Sequence, residues 1–342
     1  MNGTENSALK EGIFIYSRIL GTGSFTPEYV LTNDFLSTIV DTNDEWIKSR
    51  SGISQRRINQ DMPNSEMAAN AARKAMENAG AEPSDIDFVL VATISADHST
   101  PSMACVAANL LGIKNAIAYD ISVGCSGFVY ALELADMYIK CGKAKRGLII
   151  CSETLSRVVD YTDRSTCVLF GDAAGAVVVG ADEQMGLLGA YTSCEPEGSD
   201  TLYALKYDPH VYFKDGKFAG NNKGASNPFL FMNGKEVFKF AVRVIPSAIE
   251  RALEAAGRKI KEVDYFILHQ ANKRILDYVR DKYEFPAEKV PMNIEMYGNT
   301  SSASIPLLLD ELNMKKLIKR GQLLVLCGFG AGLSYGAVAL QY

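Results

Sequence analysis

AARKAMENAGAEPSDIDFVLVATIS, residues 71–95, decides the fold, because residues 248–272, AIERALEAAGRKIKEVDYFILHQAN, repeat its pattern. Each copy reads as an amphipathic helix, an Ala-Gly stop, a short polar loop, an acidic residue and an apolar strand. Asp87 and Asp264 align at an offset of 177 residues. A second pair follows in each half. Cys125 opens SGFVYALELADMYIKCGKAKRG before the strand LIICSE, and Asn299 opens TSSASIPLLLDELNMKKLIKRG before QLLVLCGFG. There Arg146-Gly147 aligns with Arg320-Gly321 at an offset of 174. The competing reading is coincidence between two generic strand–helix units, and the nearly constant spacing of several landmarks argues against it. The expectation is an α/β protein of two duplicated halves, each burying its sheet on both faces. Residues 1–17 form an N-terminal extension, 18–185 the first half and 186–342 the second. Residues 194–231, rich in Gly, Asn, Ser, Tyr and Phe without a period, read as a lid or pocket-lining insertion.

Composition narrows the class. Of 342 residues, 47% are hydrophobic and 22% charged, a soluble globular profile. The net charge of −5 argues against a nucleic-acid partner. No apolar run approaches the ~20 residues that span a bilayer. Met1–Lys10 is polar, without the apolar core of a signal peptide, so the expectation is a cytoplasmic protein with no membrane partner. Seven cysteines, at 105, 125, 141, 151, 167, 194 and 327, form no CxxC pair. Free thiols and no metal site are expected. Cys151, Cys167 and Cys327 sit in apolar runs and read as core residues.

The repeat puts Cys125 and Asn299 at the starts of equivalent helices. A helix start offers unpaired N–H groups and partial positive charge, which favour a thiolate and lower a cysteine pKa. On local sequence alone, a small buried and inert cysteine is an equal reading. His269 adds weight to the reactive one, since it ends the strand Tyr265–Leu268 and only three histidines occur. Strand ends are where α/β sites gather. His and Asn can both donate to one thioester oxygen and stabilise an enolate, while Cys carries a covalent acyl group. A papain-like hydrolase uses the same residue types, so identity alone does not decide. Gly171-Asp172-Ala173-Ala174-Gly175 and Gly328-Phe329-Gly330-Ala331-Gly332 fit neither a phosphate loop nor a dinucleotide fingerprint.

Beyond these residues the chain resembles the β-ketoacyl-acyl-carrier-protein synthase III family of thiolase-fold condensing enzymes, over about Arg18 to Tyr342. The resemblance rests on the segments 21–27 (GTGSFTP), 41–47 (DTNDEWI), 50–53 (RSGI), 124–128 (GCSGF), 170–172 (FGD), 269–272 (HQAN) and 298–301 (GNTS). It implies a layered α-β-α-β-α thiolase-like fold and a homodimer. It implies that Cys125 takes an acyl group from acyl-CoA, and that His269 and Asn299 promote decarboxylation of malonyl-acyl carrier protein. The backbone N–H groups of Cys125 and Ala331 map to the family's oxyanion donors. Trp46 and Arg164 match positions that sandwich the CoA adenine, Arg50 and Asn272 match further CoA contacts, and Phe329 matches an aromatic beside the nucleophile. Acyl-CoA and malonyl-acyl carrier protein are substrates, so no cofactor is implied.

Residues 235–282 hold 11 Lys or Arg against 7 Asp or Glu, and Lys235, Lys239 and Arg243 recur every four residues. Such a helix face suits an acidic carrier protein as well as it suits plain solvent. By resemblance Lys239 and Arg274 are the candidate docking residues, although Asp281 stands where the family often has a base. Thr100 replaces a bulky aromatic common before Pro101, and the 194–231 insertion is longer than in the shortest members. Both suggest a primer larger than acetyl. Rival readings are a specialised relative acting in secondary metabolism and a non-catalytic acyl-thioester binder. Thiolases and hydroxymethylglutaryl-CoA synthases, which use a second Cys or a Glu base, fit less well.

Overall fold

The computed structural model describes residues 15–204 and 229–342, with the backbone of four short paired segments between them, Lys206–Tyr207, Phe213–Lys214, Lys217–Phe218 and Ala225–Asn227. Residues 1–14 of the expected extension, and otherwise 205–228 of the expected insertion, lie outside the described residues.

The first sheet contains β1 (Tyr16–Phe25), β2 (Phe88–Ala92), β3 (Ile117–Ile121), β4 (Arg146–Glu153) and β5 (Ala173–Asp182), in the order β1-β5-β4-β2-β3. The second contains β6 (Leu187–Cys194), β7 (Tyr265–Leu268), β8 (Leu323–Gly330) and β9 (Ser334–Gln341), in the order β7-β8-β9-β6. In each sheet one parallel pair, β2 with β4 or β7 with β8, is followed by two antiparallel pairings. The four-strand topology therefore recurs. Both β2 and β8 are buried at every residue, the pattern of strands covered on both faces.

Helices α2 (Asn64–Ala79) and α3 (Met103–Leu110) cover the outside of the first sheet. Helices α5 (Gly234–Ala255) and α6 (Lys273–Lys282) cover the outside of the second, with α1 (Asp44–Ser51) against α6. Between the sheets lie α4 (Gly127–Lys140) and α7 (Ser304–Met314). The result is the five-layer α-β-α-β-α arrangement of the thiolase-like fold. The central core draws Phe128 and Leu132 from α4, Leu308 from α7, Leu90 from the first sheet and Leu326 from the second. No helix among the described residues is long and apolar enough to cross a membrane.

The two central helices begin against each other, and glycine makes the contact possible. A Cβ on Gly127 would lie 2.6 Å from the Ala92 Cβ and 3.1 Å from the Ser302 Cβ. Gly127→Ala should therefore overpack this junction, costing roughly 1–3 kcal/mol. Its denaturation midpoint should fall and its turnover with it; an unchanged midpoint would show that the junction has room to spare.

Candidate active site

Cys125 sits in the single 3-10 turn Gly124–Ser126 that runs into α4. Gly124 has φ 53, left-handed backbone that favours glycine, and a Cβ there would lie 3.2 Å from the Ala331 Cβ. Gly330 is equally confined, since its Cβ would approach the Cys125 sulfur to 3.0 Å. The Ser334 hydroxyl fastens this region together, lying 2.8 Å from the Ala331 carbonyl, 2.9 Å from the Val123 carbonyl and 3.0 Å from Ser126 Oγ. The cysteine turn and the Ala331 segment are thus one packed unit.

Asn299 approaches from the second half. Its backbone N–H donates to the Leu169 carbonyl at 2.9 Å, and its carbonyl accepts from Gly171 N–H at 3.1 Å. Its Oδ1 accepts from Ser301 N–H at 2.8 Å, which turns Nδ2 into the group free to donate. His269 follows β7, held by its N–H to the Cys327 carbonyl at 2.8 Å. Its Nδ1 lies 2.7 Å from Ser304 Oγ, and that oxygen accepts from Gln270 N–H at 3.3 Å. The Ser304 proton is therefore best placed to be donated to Nδ1, leaving the imidazole proton on Nε2. The Phe329 ring stands edge-on to the imidazole, 5.1 Å between centroids.

All three polar groups open on one cavity of about 550 Å³, whose wall also includes Phe329, Ala331 and Asn272. A pocket of this size accommodates a drug-sized ligand. Burial sets the protonation states. It pushes the Cys125 thiol up to about 12, against the pull of the Ser301 hydroxyl and the cysteine's own N–H. The helix-start expectation of a lowered cysteine pKa is thus corrected: removal from water outweighs the favourable turn, and the resting group is a neutral thiol. Burial likewise drives His269 down to about 3, so at neutral pH it is an uncharged donor. A neutral nucleophile precursor, a neutral imidazole N–H and an amide N–H can together load an acyl group and polarise a thioester oxygen.

The expected CoA contacts divide. Trp46 and Arg164 do meet, but the guanidinium lies directly over the indole at 5.0 Å from its centroid, and Arg164 Nη1 donates to the Asp41 carbonyl at 2.8 Å. The sandwich is closed in this structure: at that spacing no adenine fits between them. Neither residue, nor exposed Arg50, belongs to the cavity wall. Asn272 caps α6 through Oδ1 to Arg274 N–H at 2.9 Å, and its Nδ2 donates to the Arg50 carbonyl at 3.0 Å. It braces α6 against α1 at the edge of the cavity. Of the candidate docking residues, exposed Lys239 pairs with Glu236 at 2.8 Å, while Arg274 lies over the Phe238 ring and forms no ion pair among the described residues. Arg243, on the face with Lys239, is clamped by both carboxylate oxygens of Glu195 at 2.6 Å, so the basic face is less open than its sequence implies. Thr100 is exposed and outside the cavity, so within one chain it does not enlarge the pocket as its size suggests.

Sequence reasoning passed over Ser301, Ser304 and Glu153. Glu153 is fully buried and accepts from Ile94 N–H at 3.1 Å, Ser95 Oγ at 2.6 Å and Ser302 Oγ at 2.8 Å; burial raises its pKa. The one signal for this group was the density of hydroxyls in Thr300-Ser301-Ser302-Ala303-Ser304, at a helix start where the chain is otherwise apolar.

Two sequence models of 3-oxoacyl-[acyl-carrier-protein] synthase III match the chain, one over residues 119–196 and the C-terminal one over 253–342. A β-ketoacyl-[acyl-carrier-protein] synthase III of Xanthomonas campestris pv. campestris is 46% identical over 332 residues, covering 96% of this chain and 99% of the relative. The crystal structure of a 3-oxoacyl-[acyl-carrier-protein] synthase III from Aquifex aeolicus is similar at a TM-score of 0.88 and 43% identity, over 95% of this chain and 100% of that one. The priming β-ketosynthase of the R1128 polyketide biosynthetic pathway is similar at a TM-score of 0.85 and 37% identity, over 95% and 96%.

The depressed His269 pKa has a sign that can be measured. The unfolded chain binds a proton at this residue near its ordinary 6.5, whereas the folded chain resists until about 3. The stability it contributes is present above 6.5 and is lost as pH falls from there toward 3. Between pH 6 and 4 the unfolding free energy of the wild type should fall more steeply than that of His269→Gln, by up to ~1.4 kcal/mol per pH unit. Parallel slopes would mean that the imidazole is not held neutral by burial.

Proposed function

The chain belongs to the β-ketoacyl-acyl-carrier-protein synthase III family, and from that premise we propose that it condenses an acyl-CoA primer with malonyl-acyl carrier protein, the step that initiates fatty acid synthesis. The observation that carries the mechanism is the convergence of Cys125, neutral His269 and Asn299 on one cavity. Cys125 attacks the acyl-CoA thioester. A thioester forms on its sulfur, the bond to CoA breaks, and the thiol proton leaves with CoA. In the malonyl thioester the bond to the free carboxylate then breaks and CO2 departs. Its electron pair becomes an enolate whose oxygen accepts from His269 Nε2–H and Asn299 Nδ2–H. A neutral imidazole suits this step, since it donates without being consumed as an acid. The enolate carbon attacks the acyl-cysteine, and the N–H groups of Cys125 and Ala331 hold the oxyanion. Collapse releases the β-ketoacyl product and a Cys125 thiolate, which takes up a proton. No step calls for a cofactor.

In this reading residues 18–185 and 186–342 are the two halves of one duplicated unit and residues 1–17 an extension; of the 194–231 insertion, Ser199, Leu202, Tyr203, Ala204 and Leu230 line the cavity. Trp46, Arg50, Arg164 and Asn272 receive the CoA nucleotide once Arg164 moves off the indole, and Phe329 lines the route to the sulfur. Lys239 and Arg274 meet the acidic carrier protein; Phe238, beneath Arg274, belongs to the cavity wall, which supports that site of entry. Strand β3 ends its sheet with every residue half-buried, an open edge that supports a homodimer. Soluble thioester substrates support a cytoplasmic setting without nucleic-acid or membrane partners. The length of the 194–231 insertion supports a primer larger than acetyl. A second reading, priming of a polyketide, is favoured by the likeness to the R1128 ketosynthase.

Cys125→Ala should abolish covalent loading from acyl-CoA, read by intact mass. His269→Ala and Asn299→Ala should still load, yet lose decarboxylation by about 10²–10³-fold. Equal loss of loading in all three would refute this division of labour, and release of free acid without condensation would favour a hydrolase. Turnover of acetyl-, isobutyryl- and octanoyl-CoA with malonyl-carrier protein separates primers; strong preference for acetyl would overturn the larger primer.

A further inference from the structure

We propose that Ser301 is a further catalytic residue, its hydroxyl donating a hydrogen bond to the Cys125 sulfur whenever that sulfur carries negative charge. The inference rests on Cys125 being the acyl carrier and adds a donor to its site.

Four non-glycine residues have positive φ among the described residues: Asn115, Glu284, Lys316 and Ser301. The first three are exposed; Asn115 lies in a loop, and Glu284 and Lys316 just past helix ends, where left-handed backbone is ordinary. Ser301 differs. It is 2% exposed, has φ 50, and sits at the start of the turn leading into α7. Backbone held in a sparsely populated region inside a site is a mark of function. That backbone serves Asn299, because Ser301 N–H fixes the amide Oδ1.

The side chain is a separate matter. Ser301 Oγ is buried and has no hydrogen-bond partner among the described residues, although such groups are usually satisfied. It lines the same cavity as Cys125, and its hydroxyl is near enough to pull the thiol pKa down against burial. A donor that is misaligned to a neutral thiol and aligned to a thiolate fits both facts; such contacts tighten as charge develops. The thiolate occurs twice in the cycle, on attack at acyl-CoA and on release of the product. In neither step does Ser301 give up its proton. It lowers the energy of the charged sulfur and is unchanged afterwards.

The test follows Cys125 alone, by peptide mass, during alkylation with iodoacetamide from pH 6 to 10 in wild type, Ser301→Ala and Ser301→Gly. Both variants keep the backbone N–H to Asn299, and glycine suits the left-handed φ, so it serves should the alanine variant fold poorly. Both profiles should shift upward by about one pH unit, with alkylation near neutrality and acyl-CoA loading each roughly tenfold slower. Decarboxylation of malonyl-carrier protein without primer, which uses His269 and Asn299, should fall less than loading does. An unmoved alkylation profile overturns the proposal, whether or not decarboxylation falls; a fall would assign Ser301 to positioning Asn299. Failure of the wild type to take any acyl group from acyl-CoA would instead sink the functional reading, a result distinct from either.

Discussion

Everything about this site depends on two helix starts being pressed together between two sheets. Where α4 and α7 begin, Gly127, Ala92 and Ser302 leave no space for one further methyl group. That contact fixes the separation of Cys125 and Asn299, which stand on the neighbouring turns. It also removes the region from water, and removal from water produces the protonation pattern: a thiol instead of a thiolate, and an imidazole instead of an imidazolium. Polar groups at such a place need partners. Glu153 accepts from Ser95 and Ile94 of the first half and from Ser302 of the second, so it joins the halves beside the reacting groups.

The sequence already contained the plan of the fold. The paired landmarks 177 and 174 residues apart correspond to the strands and helices of two sheets with one topology. Cys125 and Asn299 were legible because helix starts follow from periodicity, and His269 because a lone histidine closed an apolar strand. Burial was not legible, and so neither was the direction of the Cys125 pKa: helix-start chemistry is local, whereas desolvation depends on what packs above. The tautomer of His269 depends on Ser304, 35 residues away, whose hydroxyl resembles any other in a helix. Arg56 and Arg57 are neighbours of identical type, yet Arg56 is wholly enclosed, donating to Asn33 Oδ1 and the Val168 carbonyl, while Arg57 remains partly exposed. Only the third dimension tells such neighbours apart. The stacking of Arg164 on Trp46 is of the same kind, since residues 118 positions apart in sequence carry no sign of touching.

The recurring topology has a consequence for how chemistry can be divided. Were the two halves identical subunits related by a true twofold, symmetry would force the same residue onto both central helix starts. Such an assembly could present two thiols or two amides at its axis, never one of each. Joining the halves in one chain lifts that restriction, because each start is then encoded separately. The molecule keeps the geometric benefit of near-symmetry, two helix ends converging on a point, while giving the ends different work. In the proposed reaction one end forms bonds and the other steadies charge. Broken symmetry at a single pair of positions thus separates a reactive centre from a merely symmetrical seam.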